Sequence, residues 1–225
     1  MTARFAIYYA PTPDDPLYAS STNWIGRDPE TNAPSAQPNL PEIAEITSDA
    51  RTYGFHATLK PPMRLLDGRT WNDFLDAAAK LAATLKPFKL PPLAVMNLNG
   101  FLALRETHPS AELQYLADIC IERLDAFRKP PLDEELARRR RSSLTSEQDA
   151  MLVRWGYPYM FGTWFFHMTL TRRLNPEERA VYRPAAEVHF AEAIRAPRRV
   201  TDICLFTQPA PGAPFTIAER LPLLG

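Results

Sequence analysis

Phe55-His56-Ala57-Thr58-Leu59-Lys60 and Phe166-His167-Met168-Thr169-Leu170-Thr171 are two copies of one short pattern, His-x-Thr-Leu, separated by 167 − 56 = 111 residues. In an extended strand, successive side chains leave on opposite faces. The first copy therefore puts Phe55, Ala57 and Leu59 on one face and His56, Thr58 and Lys60 on the other. The second divides the same way, with Phe166, Met168 and Leu170 opposed to His167, Thr169 and Thr171. The apolar faces suit packing beneath helices. The polar faces each present an imidazole and a hydroxyl about 6.6 Å apart along the strand.

The offset carries more than the motif. Residues 53–60 read as a strand closed by Pro61-Pro62, and residues 70–85 as a helix with Thr70 as its cap. Residues 88–95 and 101–104 read as strands flanking the turn signal Asn97-Leu98-Asn99-Gly100. From residue 163 the order repeats: a strand over 163–171, a helix over 176–194 opened by Pro176, then strands over 199–206 and 214–218. Strand, helix, strand, strand thus occurs twice, as expected of a duplication folded as two lobes about a pseudo-twofold axis. A first strand over 5–9 precedes both copies. Helices over 110–127 and 133–152 connect them. Residues 11–50, rich in Pro, Asp, Asn and Ser, read as a long surface excursion with a short helix near 41–46, the kind of segment that often forms a lid. Trp24-Ile25-Gly26-Arg27-Asp28 is its one distinctive patch.

Composition bounds the function. The 225 residues suffice for one domain of two lobes sharing a core. Lys plus Arg and Asp plus Glu number 26 each, so the net charge is zero and an extended nucleic-acid surface is not expected. Cys120 and Cys204, both in apolar segments, suit reduced thiols in a cytoplasmic protein. The N-terminal residues do not read as a signal peptide, and no apolar run is long enough for a membrane span. Only 8 residues are glycine, and neither G-x-G-x-x-G nor G-x-x-x-x-G-K-[ST] occurs. No His/Cys/Asp cluster has the spacing of a metal site, and G-x-S-x-G is absent, so neither a metal, another cofactor nor a serine nucleophile is expected.

Paired His and Thr suit phosphodiester chemistry. A neutral imidazole can deprotonate water or a ribose hydroxyl, and a protonated one can protonate the leaving oxygen. Threonine hydroxyls can donate to the non-bridging phosphate oxygens. Imidazole titrates near neutrality, which allows both roles without a metal.

These motifs resemble the two signatures of the 2H phosphoesterase superfamily, which includes RNA 2′,3′-cyclic phosphodiesterases and LigT-like proteins. Within it, Tyr53-Gly54-Phe55-His56-Ala57-Thr58-Leu59-Lys60-Pro61-Pro62, Glu135-Leu136-Ala137-Arg138-Arg139-Arg140 and Trp155-Gly156-Tyr157-Pro158-Tyr159 are similar to a bacterial branch often encoded beside phosphonate-utilisation genes. The resemblance implies a bilobal α+β fold with antiparallel-rich sheets lining a central cleft and helices outside. On this reading residues 1–225 form one domain, with lobe one over about 1–106, a helical connection over about 107–160 and lobe two over about 161–225. It also implies His56 and His167 as catalytic residues, and Thr58 and Thr169 as phosphate binders. The expected substrate is a phosphodiester, such as the cyclic phosphate of a nucleotide, RNA end or ribose phosphate. A non-catalytic module that binds a nucleotide or sugar phosphate is the alternative.

Other residues carry two readings each. Lys60 is either a phosphate contact or a solvated strand-end lysine. Arg138, in the run Arg138 to Arg141, is either a substrate contact or part of a solvated helix face paired with Glu134 and Glu135. Tyr53, Tyr157, Tyr159 and Trp155 suit stacking on a ring, or packing in Trp155's case. His108 reads as a loop residue and His189 as a satisfied helix residue.

Overall fold

A single antiparallel pair, Ala57 opposite Met168, joins the two His-x-Thr-Leu segments at the middle of one seven-stranded sheet. The computed structural model describes residues 3–225. Its strands are β1 (Arg4–Tyr9), β2 (Ala57–Met63), β3 (Phe88–Lys89), β4 (Leu93–Leu98), β5 (Phe101–Glu106), β6 (Met168–Arg173), β7 (Arg199–Val200), β8 (Asp202–Gln208) and β9 (Thr216–Pro222). The helices are α1 (Pro16–Ile25), α2 (Ile43–Ile46), α3 (Ser48–Tyr53), α4 (Trp71–Ala83), α5 (Ala111–Leu124), α6 (Asp133–Arg140), α7 (Ser146–Trp155) and α8 (Pro176–Phe190). The large sheet runs β4-β5-β6-β2-β1-β8-β9 with antiparallel neighbours throughout, and β3 pairs with β7 in a separate ribbon. The fold is α+β, and the repeat is visible in it.

The two halves interleave. The β4-β5 hairpin of the first half lies beside β6 of the second, while β8-β9 lies beside β1 and β2. Helix α4 packs on β8 and β9, and α8 packs on β4, so each half's helix covers the other half's hairpin. The lobe limits near residues 106 and 161 are therefore limits along the chain, and the sheet crosses them.

Local signals explain the elements. Thr70 caps α4 in a reciprocal box with Asp73, and Asn175 caps α8 in the same way with Glu178. Asn99 and Gly100 close the β4-β5 hairpin with φ of 50° and 104°, the left-handed geometry a two-residue turn requires. Several sequence expectations need correction. The strand expected over 53–60 begins at Ala57, and Tyr53 instead ends α3. It also continues through Pro61 and Pro62 to Met63. Those prolines are tolerated because β6 pairs with β2 only at Ala57, so beyond that point few ladder donors are needed. The strand expected over 163–171 begins at Met168, after a 3₁₀ turn over Phe161–Thr163. The helix expected over 133–152 is two helices, α6 and α7, and α7 starts at its own cap, Thr145.

Residues 11–50 are not a flap. They fold as α1, α2 and the start of α3, with Leu17, Trp24 and Ile25 buried against the body. Trp24 Nε1 donates to the Leu170 carbonyl of β6 at 3.1 Å, and Trp164 Nε1 donates to the Thr58 carbonyl of β2 at 2.9 Å. Each of the two diverging strands thus has a carbonyl satisfied by an indole. That divergence opens the cleft. No helix among the described residues is long and apolar enough to cross a membrane. Cys120 and Cys204 are free and buried.

Candidate active site

Ala57 opposite Met168 sets a pairing in which partner numbers sum to 57 + 168 = 225. One step outward, 58 + 167 and 56 + 169 give the same sum, so Thr58 stands across from His167 and His56 across from Thr169. Ala57 and Met168 both belong to the main core, so the histidines and threonines leave on the opposite face. Directly opposed residues have Cβ atoms about 5 Å apart. Continued one step from that pair, the register sets each motif's histidine nearest the other motif's threonine, while the His–Thr hydrogen bond formed in the structure lies within the first motif, between His56 and Thr58.

The two imidazoles are anchored alike. His56 Nδ1 donates to the Gly54 carbonyl at 2.7 Å, and His167 Nδ1 donates to the Phe165 carbonyl at 3.2 Å. A carbonyl only accepts, so each Nδ1 carries the proton and each neutral ring presents Nε2 as an acceptor. Gly54 makes the first anchor possible. Its φ of 78° and ψ of 161° fall in a region essentially closed to other residues, between the end of α3 and the motif.

Both rings are half-buried, and burial favours the neutral form of each. Burial pushes His56 down to about 4, opposed by the Gly54 carbonyl and assisted by the charge of His167. Burial also lowers His167, with the Phe165 carbonyl opposing and the Arg105 guanidinium assisting. The action of His167 on His56 puts the two imidazoles within electrostatic reach of each other.

A cavity of about 280 Å³ opens at His167, and Thr58, Tyr159, Tyr157, Trp164 and Arg173 are among its walls. His56 reaches this space through Thr58, whose Oγ1 donates to His56 Nε2 at 3.3 Å. Tyr159 is one of the walls of this cavity. Tyr53 stands on the His56 side, its ring 6.1 Å from the imidazole and stacked on Phe215.

Two expected contacts lie elsewhere. Lys60 does not share the His56 face. Tyr8 pairs with Thr58 but Ile7 pairs with Lys60, so the intervening Leu59 forms a bulge that breaks the alternation. Lys60 is 1% exposed, lies across from core residue Ile7, and reaches Asp125 Oδ1 at 3.5 Å. Arg138 does not line the histidine cavity but a separate basic hollow. Within its arginine run Arg140 pairs with Asp149, and Glu135 pairs with Arg64, the residue after β2, rather than within its helix. His108 is exposed, and His189 Nε2 approaches the Ser20 carbonyl at 2.8 Å.

Some residues of the site were not foreseen. Tyr8 stacks on His56 with ring centroids 3.8 Å apart and planes inclined by 23°. Arg173 lines the cavity while donating to the Asn99 carbonyl at 2.6 Å. Trp164 holds the backbone carbonyl of Thr58 itself. Only the strand pairing brings Tyr8 to the motif, and nothing in the local pattern marks it.

Fold and site together define an antiparallel α+β protein with two opposed His-x-Thr strands at the centre of a divided sheet. The chain belongs to the family described as "Protein of unknown function (DUF1045)", whose model matches residues 58–216. It is 40% identical over 231 residues to a protein of Janthinobacterium sp. (strain Marseille) named "Ribose 1,5-bisphosphate phosphokinase PhnN", covering 99% of this chain and 51% of that protein. A protein of the same name from Laribacter hongkongensis (strain HLHK9) is 33% identical over 224 residues, covering 98% of this chain and 52% of its own length. The chain spans about half the length of these curated relatives. Among solved structures it is similar to E. coli LigT complexed with 3′-AMP, at a TM-score of 0.48 and 15% identity over 100% of both chains. A structure described as a phosphoesterase matches at a TM-score of 0.45 and 14% identity over 99% of each chain.

Proposed function

We propose that this chain is a metal-independent phosphodiesterase in which His56 and His167 act as general base and general acid on one phosphorus. The opposed register carries the reading, because it sets each imidazole across from the other motif's hydroxyl on one half-buried face of the sheet. His56, held near 4, enters neutral and takes a proton from water through Nε2 as the water oxygen bonds to phosphorus. His167 acquires its proton when the substrate's negative charge raises its pKa, and passes that proton to the leaving ribose oxygen as the phosphorus–oxygen bond breaks. The product is a phosphomonoester. The two rings then exchange protons with solvent to reset. Thr58 and Thr169 donate to the non-bridging oxygens as charge builds.

The substrate class that fits is a cyclic phosphate on a ribose, from a nucleotide, an RNA end or a ribose phosphate. The name of the curated relatives, which mentions ribose 1,5-bisphosphate, supports a sugar phosphate. The likeness to a branch encoded beside phosphonate-utilisation genes supports a role in phosphonate metabolism. The test is a phosphate-ester panel of 2′,3′-cyclic nucleotides, ribose cyclic phosphates and short RNA ends, run with and without a chelator. Turnover that survives chelation and disappears in His56→Ala and in His167→Ala is expected. Turnover retained by either variant, or a strict metal requirement, contradicts the proposal. Binding without turnover of any ester leaves a phosphate-binding module in its place.

A further inference from the structure

Beside the histidine cavity lies a second hollow whose walls carry six cations, Arg4, Arg64, Arg128, Lys129, Arg138 and Arg139. Three of these are neutralised: Arg64 by Glu135 at 2.6 Å, Arg128 by Asp125 at 2.7 Å and Lys129 by Asp67 at 2.7 Å. Arg4, Arg138 and Arg139 have no carboxylate within ion-pair distance among the described residues. In a protein of zero net charge, three uncompensated guanidinium groups converging on one concavity form a local anion site.

The hollow lies on the working face of the sheet. Arg4, Ala6 and Tyr8 alternate along β1, whose pairing with β8 is regular, so Arg4 leaves on the face where Tyr8 stacks on His56. At about 3.3 Å per residue, four residues separate the backbones of Tyr8 and Arg4 by about 13 Å, part of which long arginine side chains span. The two hollows adjoin at consecutive residues of the chain. Gly156 lines the basic one and Tyr157 the histidine cavity, and the Arg139 guanidinium lies 4.6 Å from the centroid of the Tyr157 ring. The Tyr8 hydroxyl, fully buried and without a hydrogen-bond partner in the described structure, is within electrostatic reach of Arg4 and Tyr157.

We propose that this hollow is a second phosphoryl site, so that the substrate carries a phosphate group in addition to the ester held between the histidines. This rests on the phosphodiesterase reading for the identity of the first site. Planar guanidinium forks match a phosphate in geometry and stay charged at any working pH. The hollow's place next to the cavity suits two groups on one small sugar rather than an extended polyanion.

Matched ligand pairs test this by titration calorimetry on the full chain: adenosine 3′,5′-bisphosphate against 3′-AMP, and ribose 1,5-bisphosphate against ribose 5-phosphate. The pair with the larger preference distinguishes a nucleotide from a plain sugar source. In the native protein at least one bisphosphate should bind roughly 10- to 100-fold tighter than its monophosphate, the range charge-assisted hydrogen bonds supply. The preference should collapse to about threefold or less in Arg138→Gln/Arg139→Gln, both on a helix with no buried residue, and persist in Arg183→Gln, a surface control on α8. Equal affinities within both pairs, or a preference untouched by the double substitution, overturn the proposal. Failure of the phosphodiesterase reading appears separately, as no turnover of any ester with this affinity ratio intact.

Discussion

The two motifs have the same sequence logic and the same anchoring bond, yet their surroundings differ. His56 is packed: its ring stacks on Tyr8, with Phe206 at 6.0 Å and Tyr53 at 6.1 Å completing an aromatic enclosure. His167 lines an open cavity, touched by Phe165 at 4.9 Å and by the edge of Phe101 at 5.9 Å. A repeated strand pattern places the two imidazoles, and the neighbours that do not repeat then set how readily each one takes a proton. Two equivalent histidines can in this way divide the work of base and acid.

The largest effect should come from removing either ring. His56→Ala and His167→Ala should each lower kcat by about 10²- to 10⁴-fold, and the double variant should be little worse than either single one, because the pair works as a unit. Additive losses would mean that the rings act on different events. The threonines come next. Thr58→Val and Thr169→Val should each cost on the order of 10²-fold in kcat with a small change in KM. Thr58 should cost more, since its hydroxyl also engages His56 Nε2. Equal losses would show that this bond does not operate in the reaction.

Gly54 separates the motifs in a different way. Its counterpart by the offset, 54 + 111 = 165, is Phe165, which is not among the residues with positive φ. Gly54→Ala should therefore destabilise the fold by about 1–3 kcal/mol through backbone strain. A Cβ there would also sit 3.0 Å from Pro29 Cβ. Phe165→Ala carries no such strain, and denaturant titration of the two variants compares them directly.

The smallest effect is on acid stability. His56 binds protons near 6.5 when unfolded but near 4 when folded, so between these values the unfolded chain holds more protons. Its contribution is fully present above about pH 6.5 and is lost as pH falls toward 4, a loss of roughly 1–2 kcal/mol once the ring's partial exposure is allowed for. Melting temperatures should fall over that window and fall less in His56→Asn. An unchanged slope in that variant would move the effect to His167.

Much of this arrangement is readable from the chain because it is local or repeated. Alternation over five residues puts His56 with Thr58 and His167 with Thr169, and the recurring order of elements predicts two matching halves, though not that they interleave in one sheet. Lys60 shows where that reading stops. One bulge at Leu59 turns its side chain from the site into the core, and bulges leave no mark in local alternation. Tyr8, Trp164 and Arg173 escaped for another reason, since they reach the site through strand pairings and bonds spanning up to 106 residues. Residues 11–50 read as a surface excursion because proline suggested loop, while burial of Leu17, Trp24 and Ile25 stabilises α1 against the body.

Side-chain ¹⁵N NMR of the two imidazoles during titration with 3′-AMP addresses the paired site most directly. The Nε2 resonances of His56 and His167 should move together along one saturation curve, with the pKa of at least one ring rising as the phosphate settles between them. A ligand that saturates while one of the two resonances stays still would contradict a single phosphorus shared by both rings.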